Sequence, residues 1–532
     1  MNPIVLAHHA EETHHVINLL VGSRFVPCHL PIYDCRFNSM IKNEKTKGGI
    51  SFLAGMPEQF TISEKKVRIE LLLHSCYDSI GAKLADVINE CGGMSGDSKS
   101  AQRSKRLGTK EGISAIVSRW LMIQELYGTN DKEYPIPAEP KSDKWLIREM
   151  KEGGFSEDVA KQIDSKFIES TKFVYEKEFL AKKKEFKDSD LTVSFQPLVD
   201  NCRFEFTLPE EGKKEVTIHK TDYEHLKSLY EQKNPPDPSS FHACLLLLLL
   251  RYNTISGTVR GYQMALPTSV FELLQSKYHL QHECFASPMN SCALLNSYCS
   301  RFRDTDAPFG SKGSFFDYEV DEGVFESNPP FVEECMIRNI KHILDLLEKA
   351  EKSGKALTFF IIVPKWDEKD CESYNRTRFT TPDRQTDDEN RFFICQCEVG
   401  RNSHFYRNGM GYQDNFSVMA AKNDSLMLVL QTTKAKEANP IDVEAFKKEV
   451  EERWNKSSEE YIKNAFSWDK RSCNRGSMNN QWHDKRNRRG YHSDRKGSQY
   501  DHASGKRSNE DDHSSRKRDR DEDKMESKRS RN

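Results

Sequence analysis

Hydrophobic residues recur at helical spacing through the first third of the chain. The clearest run lies between residues 61 and 90, where Val67, Ile69, Leu72 and Ile80 lie on one broad apolar face. Similar spacing over 113–126 and 143–187 predicts further helices. The pattern therefore predicts a mainly helical domain over residues 1–190.

The period of the pattern changes from 3.6 to 2 after Leu191. Apolar and polar residues alternate over 192–195, 203–208 and 216–219, which is typical of strands with one buried face. A proline-rich segment follows at 234–240 and reads as a linker. We therefore expect a small antiparallel β segment and linker over residues 191–236.

Longer apolar runs begin after this linker and predict the largest domain. Six consecutive leucines, Leu245–Leu250, are typical of a buried helix, and Leu357–Val363 is typical of a strand covered on both faces. The predicted strands are 282–286, 314–318, 324–327, 357–363, 392–397 and 426–431. Helical segments between them predict an α/β fold over 237–435, with a doubly wound, Rossmann-like sheet. A charged helix over 436–469 would follow it.

Charge is distributed unevenly along the 532 residues. Lysine and arginine outnumber acidic residues from Arg471 onwards, whereas the chain before it is mildly acidic. The polar composition of 470–532 predicts a disordered basic tail. Its basic clusters are typical of nuclear import signals or nonspecific RNA contacts, although such tails also act as solubilising extensions; we favour a nuclear protein. A second basic stretch, 99–110, is compatible with RNA phosphate contact but more often is a solvated loop.

Cysteine and histidine spacing argues against a metal site. The 14 cysteines include no CxxC pair, and the 17 histidines show no ligand spacing, so we expect reduced thiols and no structural zinc. The start of the chain lacks the features of a signal peptide. The leucine run is too short to cross a bilayer, so we expect no membrane partner.

The strongest candidate chemistry lies at Asn328, Pro329, Pro330 and Phe331, which follow a short apolar strand and precede an amphipathic helix. Strand, turn and helix in this order place residues at the carboxyl edge of an α/β sheet, where ligands bind. The Asn328 side-chain oxygen and the Pro329 carbonyl are suitable acceptors for the two hydrogens of an adenine amino group. Two prolines fix the backbone, and Phe331 can stack on the base. A near copy, Asn234-Pro235-Pro236, lacks the aromatic residue and the strand.

Several ordered motifs around this stretch resemble the phosphorylated-CTD-interacting factor family, the cap-specific adenosine-N6 methyltransferases of eukaryotic mRNA. The motifs are Gly261–Pro267, Cys284–Asn290, Asp304–Asp306, Phe309–Gly313, Phe325–Phe331, Ile362–Trp366 and His404–Gly409. Together they are far more specific than one Asn-Pro-Pro-Phe. The resemblance is strong over roughly 240–432.

The resemblance implies a methyl donor, S-adenosylmethionine, and a substrate, the capped 5′ end of mRNA. Asn328–Phe331 would hold both the donor and the target amino group. The resemblance also assigns substrate contacts to Glu333, Trp366 and Arg407. An aromatic face and a carboxylate suit the cationic 7-methylguanine ring, and an arginine suits the triphosphate bridge.

The donor would lie at the strand end and loop nearest to this turn. Candidate residues for binding the donor are Phe285, Ser287, Pro288, Asn290, Phe309 and Gly310. Asp304 and Asp306 are suited either to accepting hydrogen bonds from the donor or to capping a helix.

The chain also differs from the family pattern. No tryptophan pair with a following proline occurs near residue 1, so the WW domain of the animal members is expected to be absent, and binding to the phosphorylated tail of RNA polymerase II is in doubt. Thr432 replaces a usual asparagine. Two alternatives stay open: a catalytically idle RNA- or polymerase-binding protein, and a methyltransferase acting on internal adenines of RNA or DNA.

Overall fold

A computed structural model describes residues 57–92, 107–233, 238–256, 263–295, 297–366, 377, 379, 388–401, 403–409 and 418–467. Several sequence-based predictions lie outside these residues. They concern the first 56 residues, most of the basic stretch 99–110, the linker at 234–237, Gly261-Tyr262 and the basic tail.

Five helices and a π-helix form the first part of the fold. They are α1 (Glu64–Cys91), α2 (Lys110–Leu126), α3 (Lys144–Glu152), α4 (Glu157–Phe173), the π-helix Val174–Leu180 and α5 (Ala181–Glu185). Side-chain oxygens cap the first four: Ser63, Thr109, Asp143 and Ser156 each accept a hydrogen bond from the first turn. Their apolar faces meet in one core around Trp120 and Phe167, whose rings are 4.6 Å apart. The predicted helices at 61–90, 113–126 and 143–187 are confirmed.

A four-stranded antiparallel sheet packs beside these helices. Its strands, in spatial order, are β1 (Glu58–Ser63), β2 (Asp190–Pro197), β3 (Asn201–Leu208) and β4 (Gly212–His219). The predicted antiparallel sheet is confirmed, but β1 adds a strand from the part of the chain predicted to be helical. Its alternation covers only six residues, which is too few to stand out before α1.

The leucine helix lies against this small sheet. Helices α6 (Lys220–Lys233) and α7 (Pro238–Ser256) follow β4, and Leu245, Leu246 and Leu249 share a core with Phe204. This helix packs mainly on α1 and also contacts β1 and β4. All the described residues fall within one compact unit that ends at Trp468.

The main sheet has six strands with a mixed arrangement. The strands of this part of the chain are β5 (Met264–Ala265), β6 (His282–Ala286), β7 (Tyr298–Ser300), β8 (Gly323–Ser327), β9 (Leu357–Pro364), β10 (Phe393–Val399), β11 (Phe405–Asn408), β12 (Val418–Ala420) and β13 (Ser425–Gln431). The order of the main sheet is β10-β13-β9-β8-β6-β7. Strands β7, β6, β8 and β9 run parallel, and β13 is antiparallel to both its neighbours. The predicted α/β class is confirmed at this level.

Helices cover both faces of this sheet. They are α8 (Thr268–Tyr278), α10 (Glu333–Lys352), α11 (Thr433–Ala438) and α12 (Val443–Ser467). The short α9 (Arg303–Asp306) contacts α7 instead. The apolar side of α10 packs on Phe359 and Ile361, whereas α8 and α12 pack on Phe360 and Ile362 from the other side. Every residue of β9 is buried, because successive side chains of that strand enter different cores.

One predicted strand is wrong. Residues 314–318 contain a 3-10 helix, Phe315–Asp317, in which Ser314 Oγ accepts a hydrogen bond from Phe316 N at 3.2 Å. The hydrogen bond from the backbone to this serine favours a turn, although the aromatic residues of the segment would suit a strand. The strand next to β6 is β7 instead, and its three residues are too few to give a periodic signal.

The chain leaves β6 for β7 on one side and then returns to β8 on the other side of β6. The order of the strands therefore reverses at β6. Ligands of α/β sheets bind outside the carboxyl ends of the strands at such a point. Residues 287–290, after β6, and 328–331, after β8, both lie there.

Candidate functional site at the carboxyl edge of the main sheet

The orientation of the Asn328 side chain is fixed by one hydrogen bond. Asn328 follows β8 and is 7% exposed, and its Nδ2 donates to the Met264 carbonyl in β5 at 3.1 Å. Only the amide nitrogen can donate to a carbonyl, so the bond identifies which end of the amide faces Met264. Oδ1 is therefore the end that is left to accept a hydrogen bond from a ligand.

The carbonyl groups of the two prolines differ in their hydrogen bonds. Val332 N donates to the Pro330 carbonyl at 2.6 Å, which closes a tight turn before α10. The carbonyl of Pro329 accepts no hydrogen bond within the described part of the chain. The Pro329 carbonyl and Asn328 Oδ1 are thus two adjacent acceptors on a rigid turn.

The ring of Phe331 is held against strand β11. Its centroid is 6.0 Å from that of Tyr406 at an interplanar angle of 80°. Tyr406 is itself fixed, because its hydroxyl lies 2.6 Å from Ser425 Oγ. Phe331 is half-buried, so part of the ring is accessible beside the two acceptors.

The turn after β6 is held by the side chain of Asn290. Its Oδ1 accepts hydrogen bonds from Ser287 N at 2.7 Å and Ser287 Oγ at 2.9 Å, and its Nδ2 donates to the Gln263 carbonyl at 3.2 Å. Gly409 lies so close that a Cβ there would be 2.7 Å from Asn290 Cβ. Ser287, Pro288 and Asn290 are all buried, so their part is to shape the backbone of this turn.

Of the other residues predicted to bind the donor, Phe285 lies nearest to this turn. It is half-buried at the end of β6, with its ring 5.5 Å from that of Phe315 and 5.6 Å from that of Phe316. It forms part of an aromatic wall beside the carboxyl edge.

Phe309 and Gly310 pack against the small sheet and its helices. The Phe309 side chain is fully buried in the core of the small sheet, near Tyr230 and Phe241. Its carbonyl accepts a hydrogen bond from the Tyr298 hydroxyl at 2.9 Å, so neither the ring nor this carbonyl is available for a ligand. Gly310 has a φ of +99°, and a Cβ there would be 3.0 Å from Lys233 Cε, so the position suits glycine for packing reasons.

Asp304 and Asp306 have partners within the fold. Asp304 Oδ2 is 2.7 Å from Arg251 Nη2, and that arginine also pairs with Glu70. Asp306 accepts a hydrogen bond from the Tyr252 hydroxyl at 2.8 Å. Both therefore tie α9 to α7.

The three residues predicted to bind the substrate lie on different elements. Glu333 begins α10, where its Oε2 is 3.5 Å from Arg148 Nη2 of α3. Trp366 is half-buried two residues after β9. Arg407 is half-buried in β11 and pairs in register with Ala265 of β5.

Thr432 is fully buried at the opposite edge of the sheet. Its hydroxyl accepts a hydrogen bond from Leu357 N at 3.0 Å and donates to the Lys355 carbonyl at 2.8 Å. Leu357 is the first residue of β9, whereas the candidate site is at the carboxyl end. Position 432 therefore does not contribute a contact at this site.

Two buried glutamates near this site were not among the predicted site residues. Glu283 of β6 and Glu326 of β8 are 1% and 0% exposed and are register partners in neighbouring parallel strands. Burial raises the pKa of Glu283 to about 7, against the lowering effects of Cys292 N–H and Arg407. Burial and the charge of Glu283 raise the pKa of Glu326 well above its ordinary value. In the sequence, the feature that points to this pair is an acidic residue inside each of two short apolar strands.

The described residues contain no group of three or more His, Cys, Asp or Glu side chains placed to hold a metal ion. No helix within the described ranges is long and apolar enough to cross a membrane.

Comparisons with known proteins support the resemblance found in the sequence. Residues 225–409 match a family model described as the phosphorylated CTD interacting factor 1 WW domain. A protein from Mus musculus and one from Homo sapiens, each named mRNA (2'-O-methyladenosine-N(6)-)-methyltransferase, are 37% identical to this chain over 166 residues. These residues are 30% of this chain and 21% of each relative, so the chain covers about a fifth of their length.

The description of the family model bears on the expected absence of a WW domain. It names such a domain, against that expectation. The residues that match contain a single tryptophan, Trp366, and include α7 and strands β5–β11. The resemblance to this family is confirmed over these residues.

Proposed function

Because residues 225–409 match the model of the phosphorylated-CTD-interacting factor family, we propose that this protein methylates mRNA. The reaction is the S-adenosylmethionine-dependent N6-methylation of the 2'-O-methyladenosine next to the cap. Its product is N6,2'-O-dimethyladenosine. The names of the two curated relatives support this reaction.

The observation that carries the proposal is the pair of acceptors at the end of β8. Asn328 Oδ1 and the Pro329 carbonyl are adjacent at the end of that strand and have no hydrogen-bond partner among the described residues. An adenine amino group has two hydrogens and a poorly nucleophilic nitrogen. Two fixed acceptors hold both hydrogens and favour a pyramidal nitrogen, while Phe331 stacks on the base.

The same edge fits a methyl donor. S-adenosylmethionine supplies an electrophilic methyl group on a sulfonium. In this proposal Asn328–Phe331, the Ser287–Asn290 turn and Phe285 line the donor site. Phe309 and Gly310 would contribute only the Phe309 N–H and the Gly310 carbonyl, since the Phe309 ring is buried elsewhere and the other two backbone groups bind Tyr298 and Ala307. A rigid, mostly buried lining excludes water and aligns the methyl group with the amino nitrogen.

The cap would be bound by residues around this edge. Trp366 supplies a face for the electron-poor 7-methylguanine ring, and Glu333 supplies a carboxylate. Arg407 is not in an ion pair with any described carboxylate within 4.0 Å, so its guanidinium is available for the triphosphate bridge. We further propose a nuclear location and an interaction with the phosphorylated tail of RNA polymerase II.

Labelled S-adenosylmethionine and four matched RNAs test this function. The RNAs begin with capped adenosine, capped 2'-O-methyladenosine, uncapped adenosine and capped guanosine. We expect transfer to be fastest for capped 2'-O-methyladenosine and absent for guanosine.

Each of the other outcomes would support a different function. Transfer to none of the RNAs would exclude the enzyme and leave an idle RNA- or polymerase-binding protein. Equal transfer to capped and uncapped ends would favour a methyltransferase for internal adenines. Digestion of the product RNA and chromatography of its nucleosides would locate the methyl group on N6.

A further inference from the structure

The carboxyl groups of Glu283 and Glu326 form a buried pair below the candidate site. They occupy paired positions of β6 and β8, whose backbones lie about 4.8 Å apart. Paired residues of neighbouring parallel strands project to the same face, so the two side chains lie side by side. Glu326 precedes Asn328 by two residues, which places it about 6.6 Å deeper along the strand.

The two carboxyl groups differ in their hydrogen bonds. Glu283 Oε2 accepts a hydrogen bond from Cys292 N at 2.9 Å. Both carboxyl oxygens of Glu326 are buried and have no hydrogen-bond partner in the described part of the chain. A buried carboxyl group with two unused oxygens is unfavourable in a folded protein unless a ligand or water satisfies it.

Among the described residues, no positively charged side chain forms an ion pair with either glutamate. Tyr406 and Arg407 approach from β11, Tyr298 from β7, and Cys284 is next to Glu283 in β6. Arg407 is the one positive group among these, and it acts on Glu283 without an ion pair within 4.0 Å. Burial raises the pKa of Glu283 to about 7 and that of Glu326 well above its ordinary value, and Arg407 only partly offsets this. The pair therefore holds a proton near pH 7.

We propose, on the basis of the function proposed above, that Glu283 and Glu326 form a subsite for the positively charged sulfonium of the methyl donor. When the sulfonium binds, one carboxyl O–H bond ionises, the proton passes to the solvent, and the carboxylate remains beside the cation. The product of transfer carries a neutral thioether. The pair therefore favours the donor over the product.

Titration calorimetry tests this subsite without any transfer reaction. S-adenosylmethionine and S-adenosylhomocysteine are titrated into the full chain near pH 7, in two buffers with different heats of ionisation. We expect the sulfonium ligand to bind with net proton release and the thioether without it. Glu326→Gln should lose that release and bind the sulfonium about tenfold more weakly, and thioether affinity should stay unchanged.

Two further variants complete the test. Glu283→Gln removes the other carboxyl group, and its amide oxygen can still accept a hydrogen bond from Cys292 N. It should also weaken sulfonium binding without changing thioether affinity, and it replaces Glu326→Gln if that variant does not fold. Glu398→Gln, an exposed change on β10 of the same sheet, should behave as the wild type.

The outcomes separate this subsite from the proposed function. Ligand binding without proton release, or an equal loss of affinity for both ligands in Glu326→Gln, would overturn the subsite alone. A folded wild-type protein that binds neither ligand would overturn both proposals.

Discussion

The side-chain nitrogen of Asn328 donates to the carbonyl of Met264 at 3.1 Å and so joins the end of β8 to strand β5. Ala265, the next residue of β5, pairs in register with Arg407 of β11. The candidate acceptor for the amino group and the candidate contact for the cap are therefore linked through one two-residue strand.

Replacement of Asn328 by alanine should abolish most methyl transfer and leave the fold intact. The change removes the Oδ1 acceptor, and loss of one oriented polar group in an active site lowers rates by about 10²- to 10³-fold. It also removes one hydrogen bond to Met264, which costs about 1 kcal/mol of stability. Initial rates of transfer and thermal unfolding measure the two effects.

The chain offers a matched control in its second Asn-Pro-Pro. Asn234→Ala makes the same chemical change at a position that is not part of the Asn328–Phe331 turn, and its transfer rate should equal that of the wild type. An Asn328→Ala protein that transfers methyl groups within tenfold of the wild-type rate would contradict the assigned role.

Local sequence was sufficient to predict the elements with long, unambiguous patterns. The apolar run Leu357–Val363 forms β9, which is buried throughout as expected. Short elements failed because three to six residues hold too little periodicity, as for β1 and β7. Capping by Ser314 converted a predicted strand into a 3-10 helix.

The candidate site shows the same division between local and long-range information. Asn328–Phe331 form one continuous turn, so local sequence could describe it. The pairing of Glu283 with Glu326 depends on the register between β6 and β8, which are about forty residues apart in sequence, and no local pattern specifies it. The position of Phe309 also depends on long-range packing, since its ring lies in the core of the small sheet with side chains of α6 and α7.

Replacement of Trp366 by alanine should reduce the preference for capped RNA. A stacked cationic ring contributes about 1–2 kcal/mol, so the ratio of capped to uncapped transfer should fall by about tenfold. Rates on uncapped RNA should change little, since Trp366 follows β9 and is not part of the Asn328–Phe331 turn. Trp366→Phe keeps an aromatic face and should retain most of the preference. Equal losses on both RNAs would indicate a packing role instead.

Replacement of Arg251 by methionine should destabilise the protein strongly. Arg251 is 1% exposed, and its guanidinium binds both oxygens of Glu70, at 2.8 and 2.7 Å, as well as Asp304. Removing it leaves the buried Glu70 carboxyl without its partner, and the loss of one member of a buried pair typically costs about 3–5 kcal/mol. Urea unfolding followed by circular dichroism gives the change.

Arg203→Met is the control for this change. Arg203 lies on β3 with its side chain 29% exposed, near Glu205 and Glu215 at 3.7 and 3.6 Å. Partly exposed pairs of this kind contribute little, so its loss should alter stability by less than about 1 kcal/mol. Similar losses for the two variants would show that the Arg251 cluster has no special importance.

Asp143 should make the stability of the protein depend on pH. It is fully buried and caps α3, where its Oδ1 accepts from Trp145 N at 2.9 Å, but its Oδ2 has no hydrogen-bond partner among the described residues. Burial raises its pKa to about 6, outweighing Arg119, whose Nη1 is 4.0 Å away. The unfolded value is about 3.9, so the folded state holds the proton more tightly.

The sign of the effect follows from that difference. Stability from this group is fully present below about pH 4 and is lost as the pH rises to about 6, because the unfolded chain ionises first. An asparagine in place of Asp143 would stay neutral and keep the cap. Asp143→Asn should therefore match the wild type at about pH 4 and exceed it by up to about 3 kcal/mol at about pH 7.

Urea unfolding of both proteins at pH 4, 5, 6 and 7 measures this gain. The exposed change Asp86→Asn, on α1, should produce no comparable gain between pH 4 and pH 7. If Asp143→Asn is instead less stable at pH 7, the attraction between Arg119 and Asp143 exceeds the penalty of burial. That result would make the pair a net stabilising contact between α2 and α3, because the charged form of Asp143 would then be the favoured one.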